Sequence, residues 1–251
     1  AGAETNVPDD VKWAGLDESQ RTAVKRLYAW IRSCVPDGAT SADLSTFKSE
    51  KFRDEISDYF DKAFLLTYYL WTDYFLAVDQ RAKNMMLRTW DGLIWYITYY
   101  DGDTQMGKRN DCFLVYDYTT DRDTYDAEAG KYAFEGRDSW LWNLVLANLD
   151  ADLKTQAQAL RGVLTTSRVL DMLNVEQAGN WCDRAYNKSG ELKYILPATQ
   201  EMYGKVWPFI YALQGSNRAH REYFVRNRFA LLDAKYGTSN FTSDNIDLYL
   251  A

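Results

Sequence analysis

Histidine is nearly missing from this chain: one residue, His220, in 251. That excludes any site built on several imidazoles and leaves acid–base chemistry mainly to carboxylates. Cysteine is scarce as well. Cys34, Cys112 and Cys182 lie far apart and are odd in number. They offer neither metal-ligand spacing nor a disulfide framework, so a reducing or indifferent environment is expected. There is no basic excess: 29 Lys and Arg stand against 36 Asp and Glu, a net charge of −7. A phosphate backbone needs a cationic surface, so nucleic acid is not an expected partner. No apolar run suffices for a membrane span. The nearest, Ala63 to Val78, is shorter than the ~20 residues a bilayer needs. It also contains Asp73, and it predicts a buried helix instead. The opening AGAETN has neither the basic nor the apolar segment of a signal peptide. It lacks an initiator Met, and the expectation is a fragment of a larger chain.

What is present is aromatic. Hydrophobic residues at 47% and charged ones at 26% mark an ordinary folded protein, but 9 Trp and 19 Tyr are many. Such rings cover much area at little entropic cost, which favours a part that packs against other protein; an aromatic core would give the same count. Residues 1–15 read as an extended lead-in. Leu16 to Val35 reads as a helix, opened by Asp17 with Gln20 in a capping arrangement and stopped by Pro36-Asp37-Gly38. The strongest helical pattern runs from Lys51 to Val78, where Ile56, Tyr59, Phe60, Phe64, Leu70, Trp71 and Tyr74 recur at helical steps. The period then changes to two. Asn84 to Trp90 and Leu93 to Tyr100, joined by Asp91-Gly92, predict a hairpin with a two-residue type I′ turn, apolar and sandwiched on both faces. An acidic, glycine-broken stretch from Asp101 to Arg137 holds one short strand at Cys112 to Tyr118. Helices are expected at Ser139–Leu149, Asp152–Arg161, Ser167–Ala185 and Arg218–Tyr236. The expected class is α+β, predominantly α-helical, around a central β-hairpin, and one domain is the simplest count.

The chemistry straddles the hairpin. In Asp79-Gln80-Arg81-Ala82-Lys83-Asn84 an Asn follows an Asp by five. That is the interval of the protein-kinase catalytic loop, where Asp accepts the substrate hydroxyl proton and Asn holds magnesium. The hairpin returns the chain to Asp101-Gly102-Asp103, where kinases carry the Asp of Asp-Phe-Gly. Phosphoryl transfer needs hard oxygen ligands for Mg²⁺ beside a proton acceptor, and a short hairpin brings two such loops to one end.

The run YYLWTDYFLAVDQRAKNMMLRTWDGLIWYITYYDGDTQMG resembles the core of the CotH (spore coat protein H) kinase family. Asp138-Ser139-Trp140-Leu141-Trp142, and Gln214-Gly215-Ser216 leading to Asn227-Arg228-Phe229, look like sequences in CotH-like domains of large bacteriophage tail proteins. The similarity spans roughly residues 50–236. It implies a lead-in and helix over 1–50 and, over 51–251, the C-terminal lobe of a CotH-type kinase-like fold. It makes Asp79 the catalytic-loop acid, Asn84 a metal or loop-bracing ligand, and Asp101 the main Mg²⁺ carboxylate assisted by Asp103. Lys83 would contact the phosphates of ATP. The partners implied are other virion proteins or other domains of the same chain, and the location is the phage tail, with the cytoplasm as alternative.

The sequence departs from the kinase pattern. Ala77-Val78 stands where His-Arg would precede Asp79, Gly102 replaces the Phe and Asp103 the Gly of the usual triplet. Residues 1–50 show no alternating strand run and no glycine-rich phosphate loop, so the nucleotide-gripping lobe is expected outside this segment or lost. Blander readings stand beside each residue. Asp79 could cap a helix, Asn84 could brace a loop, Asp103 could be a turn residue, and Arg81 and Lys83 could form exposed salt bridges. Asp121, Asp123, Asp126 and Glu128 lack the central Gly and bidentate Glu of a calcium loop and read as a solvated acidic loop. His220 reads as a surface residue. Trp140 and Trp142 read as core, although they, Trp181 and Trp207 could stack on sugars. Three functions remain open. A structural virion component is placed first, then a working Mg²⁺–ATP phosphotransferase, then a carbohydrate-acting enzyme using a carboxylate pair.

Overall fold

A computed structural model describes residues 15–102, 104–109, 116–173, 184–186, 192–194 and 218–238. The fold is mixed α+β and mostly helical. In chain order the elements are α1 (Glu18–Ser33), α2 (Ser41–Leu44), α3 (Glu50–Glu55), α4 (Lys62–Tyr74), β1 (Met85–Thr89), β2 (Trp95–Tyr99), β3 (Tyr125–Asp126), β4 (Lys131–Tyr132), α5 (Trp140–Asn148), α6 (Asp150–Val163), α7 (Thr166–Leu173), β5 (Arg184–Tyr186), β6 (Leu192–Tyr194) and α8 (Arg218–Tyr236). Short 3-10 turns at Ile56–Asp58, Val78–Arg81 and Glu135–Asp138 link some of them. The strands pair as antiparallel hairpins, β1 with β2, β3 with β4 and β5 with β6. Among the described residues no helix is long and apolar enough to cross a membrane.

The chain divides into two compact units. The first comprises the described residues of Ala1–Asp73, Ala77–Gly102 and Asp121–Ala157. Its core is aromatic. The Trp30 ring of α1 stacks on Tyr59 at 4.2 Å and on Phe52 at 5.4 Å. Trp142 of α5 is fully buried and lies parallel to Tyr68 of α4 at 6.2 Å. Helix α1 begins as the sequence predicts, with Asp17 and Gln20 exchanging side-chain-to-backbone bonds as a complete capping box. Ser139 caps α5 by accepting from the Trp142 N–H.

The single helix expected from Lys51 to Val78 is instead two helices with a break. Asp61 accepts from the Phe64 N–H at 3.0 Å and so starts a new helix. Just before it, the Tyr59 carbonyl accepts from the Trp95 N–H at 2.7 Å and Phe60 forms a parallel bridge with Trp95. The backbone there is spent on β2 and cannot continue the helical ladder. Helix α4 closes at Leu76, whose φ is 46°, while the Ala77 N–H returns to the Thr72 carbonyl at 2.8 Å. This is the six-to-one closure that usually takes glycine at the left-handed position. Here full burial of the Leu76 side chain offsets the strain.

The hairpin exists, but its turn is not the two-residue type expected. Thr89 pairs with Trp95, leaving residues 90–94 as the loop. The Asp91 carboxylate accepts from the Leu93 and Ile94 N–H groups at 2.8 and 2.9 Å and from the Thr89 hydroxyl at 3.1 Å. These bonds favour an Asx-type loop, and only Gly92 takes a positive φ, 74°. Nor is the ribbon sandwiched. Trp95 and Ile97 are buried, whereas Met86 and Leu87 of β1 and Trp90 in the loop, 83% exposed, face solvent. Farther along, Arg184–Tyr186 is a strand where the pattern suggested the end of a helix. Of the strand expected at Cys112 to Tyr118, residues 112–115 lie outside the described residues and Tyr116–Tyr118 are not extended in a ladder. Trp181 and Trp207 lie outside them too, as does the side chain of His220.

Arg81, expected as an exposed ion-pair former, is buried. Its guanidinium lies 4.0 Å over the Tyr69 ring and 4.2 Å over Phe134, donates to the Thr72 hydroxyl at 2.8 Å, and sits 3.5 Å from the Asp73 carboxylate. Its carbonyl accepts from the Trp142 indole at 2.8 Å. A Cβ added to Gly136 would come 2.4 Å from the Arg81 Cβ, so that glycine is fixed by close approach.

The second unit comprises the described residues of Tyr74–Leu76, Asp103–Thr120 and Gln158–Ala251. A buried ion pair organises it. Arg161 Nε and Nη2 grip the two oxygens of Asp233 at 2.8 and 3.1 Å, and the Tyr74 and Thr238 hydroxyls also donate to that carboxylate. Burial and the adjacent Asp233 charge hold the Tyr74 phenol well above its usual range. The Phe229 ring packs against Tyr74 at 5.0 Å and Phe75 at 5.6 Å. Arg228 donates to the carbonyls of Tyr118 and Thr120 and so secures the segment before residue 121.

Two outcomes follow. Arg81→Ala removes the buried guanidinium beside the Asp73 carboxylate and is expected to cost about 3–5 kcal/mol, measured by the urea unfolding midpoint; a loss near zero would show that the pair is not structural. Burial also pushes the Cys34 thiol from 9.0 up to about 11. The folded state thus holds this proton more tightly than the unfolded chain, and that contribution is intact below pH 9.0 and fades as the pH rises to about 11. In a Cys112→Ser, Cys182→Ser protein, Cys34 should react slowly with a thiol reagent at about pH 8 until denaturant is added.

Candidate functional site

The segment Val78–Arg81 is pinned to α4. The Tyr68 hydroxyl donates to the Gln80 carbonyl at 2.6 Å, and Arg81 is locked between rings as described. With that segment fixed, the next residues meet the far end of β2. The Asn84 side-chain amide donates to the Asp101 carbonyl at 3.2 Å, and the Gln80 amide donates to the same carbonyl at 2.7 Å and to the Tyr100 carbonyl at 3.1 Å. The Asn84 N–H closes back onto the Asp79 carbonyl at 2.9 Å. Asp101 itself adopts a φ of 53°, a left-handed geometry that Asp tolerates better than most residues. Two loops separated by the hairpin therefore meet where the Gln80 and Asn84 amides reach the Asp101 carbonyl.

The side chains at this corner are differently placed. Asp79 is 2% exposed, and its carboxylate is 3.6 Å from the Lys83 ammonium, whose side chain is 57% exposed. Lys83 is thus engaged within its own turn. Asp101 is exposed at the rim. Asp103 lies outside the described residues. A Cβ on Gly102 would meet the Tyr99 hydroxyl at 2.0 Å and its ring at 2.6 Å, so that side chain would have to move to admit any substituent.

Asp79, Asn84 and Asp101 supply oxygen atoms only, the donor type Mg²⁺ takes. Gln80, which the spacing argument passes over, adds another. Its Oε1 is buried with no hydrogen-bond partner among the described residues. Against this, the Asn84 and Gln80 nitrogens are already committed to main-chain carbonyls, so each side chain is oriented by a structural bond before any ligand arrives. Among the described residues no three His, Cys, Asp or Glu side chains gather as an ion site. No sequence signal marks Gln80, because its role depends on where Tyr100 and Asp101 return in space.

The acidic stretch behaves as a set of turns. Asp121 accepts from the Asp123 N–H and the Thr124 hydroxyl, and Asp126 accepts from the N–H groups of Glu128 and Ala129. Trp142 is core, as expected, while Trp140 is half-buried with the Arg32 guanidinium 5.1 Å over its ring.

Asn84→Ala removes one of two side-chain anchors on the Asp101 carbonyl and is expected to cost about 1 kcal/mol. The loss should be the same with and without millimolar Mg²⁺ in a thermal melt; a Mg²⁺-dependent loss would identify Asn84 as a metal ligand rather than a brace. Comparison of the chain with protein-family models, with curated proteins and with solved structures shows no match.

Proposed function

We propose that this chain is a structural component of a bacteriophage virion, built on a CotH-like kinase-type lobe whose former catalytic corner now serves as a brace. The observation that carries the reading is how the corner is tied to its own backbone: the amide nitrogens of Asn84 and Gln80 both donate to the Asp101 carbonyl, and buried Asp79 is paired with Lys83. A group that must bind metal and accept a proton gains from being uncommitted, whereas a group that fixes two loops does not. The exposed apolar residues of the hairpin, Met86, Leu87, Trp90 and Leu93, supply surface for packing against other virion proteins or other domains of the same chain.

One observation favours a second reading, a Mg²⁺–ATP-dependent phosphotransferase. The Asn84 side chain reaches the Asp101 carbonyl, and the buried Gln80 Oε1 beside it has no hydrogen-bond partner among the described residues. In that reading Asp79 accepts the substrate hydroxyl proton, Asn84 and Asp101 hold the metal, and Lys83 leaves Asp79 for a phosphate.

Titration calorimetry of the protein with ATP and Mg²⁺ or Mn²⁺ separates the two. The scaffold reading expects no heat of binding at about millimolar nucleotide, a concentration that would detect even a weak site of roughly −4 kcal/mol. Saturable binding that is lost in Asp101→Ala would replace it with the phosphotransferase.

A further inference from the structure

A cleft of about 230 Å³ opens in the first unit, away from the corner, between α2, the Glu135–Asp138 turn and α5. Asn143 is fully buried beside it, with its amide nitrogen donating to the carbonyls of Ser41 and Arg137, both at 3.1 Å. Arg122 spends one terminal nitrogen, Nη2, on two neutral acceptors, the Arg137 carbonyl at 2.7 Å and the Asn143 Oδ1 at 2.6 Å. Its other terminal nitrogen, Nη1, has no hydrogen-bond partner among the described residues. The Arg122 side chain is only 15% exposed, and the carboxylate nearest its Nε, that of Asp123, is 3.9 Å away. Burial lowers the Arg122 pKa; the charges of Arg81 and Arg137 add to the effect, and Tyr69 and the Asp123 carboxylate oppose it. A guanidinium held by neutral oxygens, short of counter-charge and lining a cleft is prepared for an anion.

The rest of the lining accepts. The Ser41 hydroxyl gives its hydrogen to the Asp138 carbonyl at 2.7 Å and the Ser45 hydroxyl to the Ala42 carbonyl at 2.8 Å, so each presents oxygen lone pairs. Asp123 and Asp138 stand at the rim with side chains 68% and 75% exposed, both beside Arg137. These two carboxylates repel a dianion such as phosphate but accept well from hydroxyl groups. A neutral polyol would satisfy the acceptors and leave Arg122 uncompensated. The volume is below the ~300–1,000 Å³ of a typical drug-sized pocket, which limits the occupant to one small unit.

We propose that this cleft binds a small hydroxylated carboxylate of the uronic-acid class, with the carboxylate on Arg122 Nη1 and the hydroxyls donating to Asp123, Asp138 and the serine oxygens. None of these residues belongs to the Asp79–Asp101 corner, so the proposal stands or falls apart from the scaffold reading. The test is an amide-detected NMR titration of the protein at constant ionic strength with D-glucuronate, D-glucose and inorganic phosphate. Saturable shifts at residues 41–45, 122–123 and 137–143 are expected with glucuronate. Glucose and phosphate should bind at least about tenfold more weakly, the scale of one good polar contact. Arg122→Gln should abolish the response. Asp138→Ala, at an exposed side chain, should weaken it several-fold without disturbing the fold and decides the matter if Arg122→Gln unfolds. No shift at about 50 mM glucuronate, which corresponds to less than ~2 kcal/mol of binding, overturns the proposal. So does an equal response to glucose or phosphate, or an unchanged response in the variants.

Discussion

Taking a guanidinium out of water costs several kcal/mol unless partners replace the solvent. Arg81 meets that cost through two aromatic faces, a hydroxyl and the Asp73 carboxylate, all contributed by the first unit's own core. The consequence is positional. A short 3-10 turn of four residues would ordinarily be among the softer parts of a fold, yet Val78–Arg81 is fastened at its side chain, at the Arg81 carbonyl through Trp142, and at the Gln80 carbonyl through Tyr68. Everything at the candidate site hangs from that turn, since Asp79, Lys83 and Asn84 follow its course.

The fixed turn then sets what the corner can do. Because Gln80 and Asn84 leave it in a defined direction, both reach one carbonyl, and the chain at Asp101 is held in a left-handed conformation that an unbraced Asp would visit only part of the time. The same bonds that order the corner occupy the amide nitrogens of Gln80 and Asn84 and the Asp101 carbonyl. The Arg122 cleft differs. Its cation is held by neutral acceptors at Nη2 while its side chain lines the cleft.

Much of the local structure was legible in the residues. Asp17 with Gln20, Ser139 before a run of apolar residues, and the periodic stretch Arg218–Tyr236 each carry short-range instructions: a cap three residues from its partner, a 3.6-residue period. The meeting of residues 84 and 101 was legible too, because a hairpin between them leaves no other place for its ends. The turn itself was misread. Asp-Gly predicts a tight type I′ turn from two residues, but Asp91 uses its carboxylate on two backbone N–H groups and widens the loop. That choice is made with Trp95 already bonded to Tyr59, far away in sequence.

The sequence by itself determined the class, mixed and mostly helical, along with the starts of α1, α5 and α8 and the spacing of the candidate corner. All of these rest on interactions between residues a few positions apart. Tertiary structure decided the break after Asp58, the burial of Arg81, the role of Gln80 and the exposure of β1. Each of those depends on a partner from another element, whether Trp95, Phe134, Asp101 or the buried face of β2. A periodicity read along the chain sees which residues are apolar, but only packing establishes which charged group they enclose.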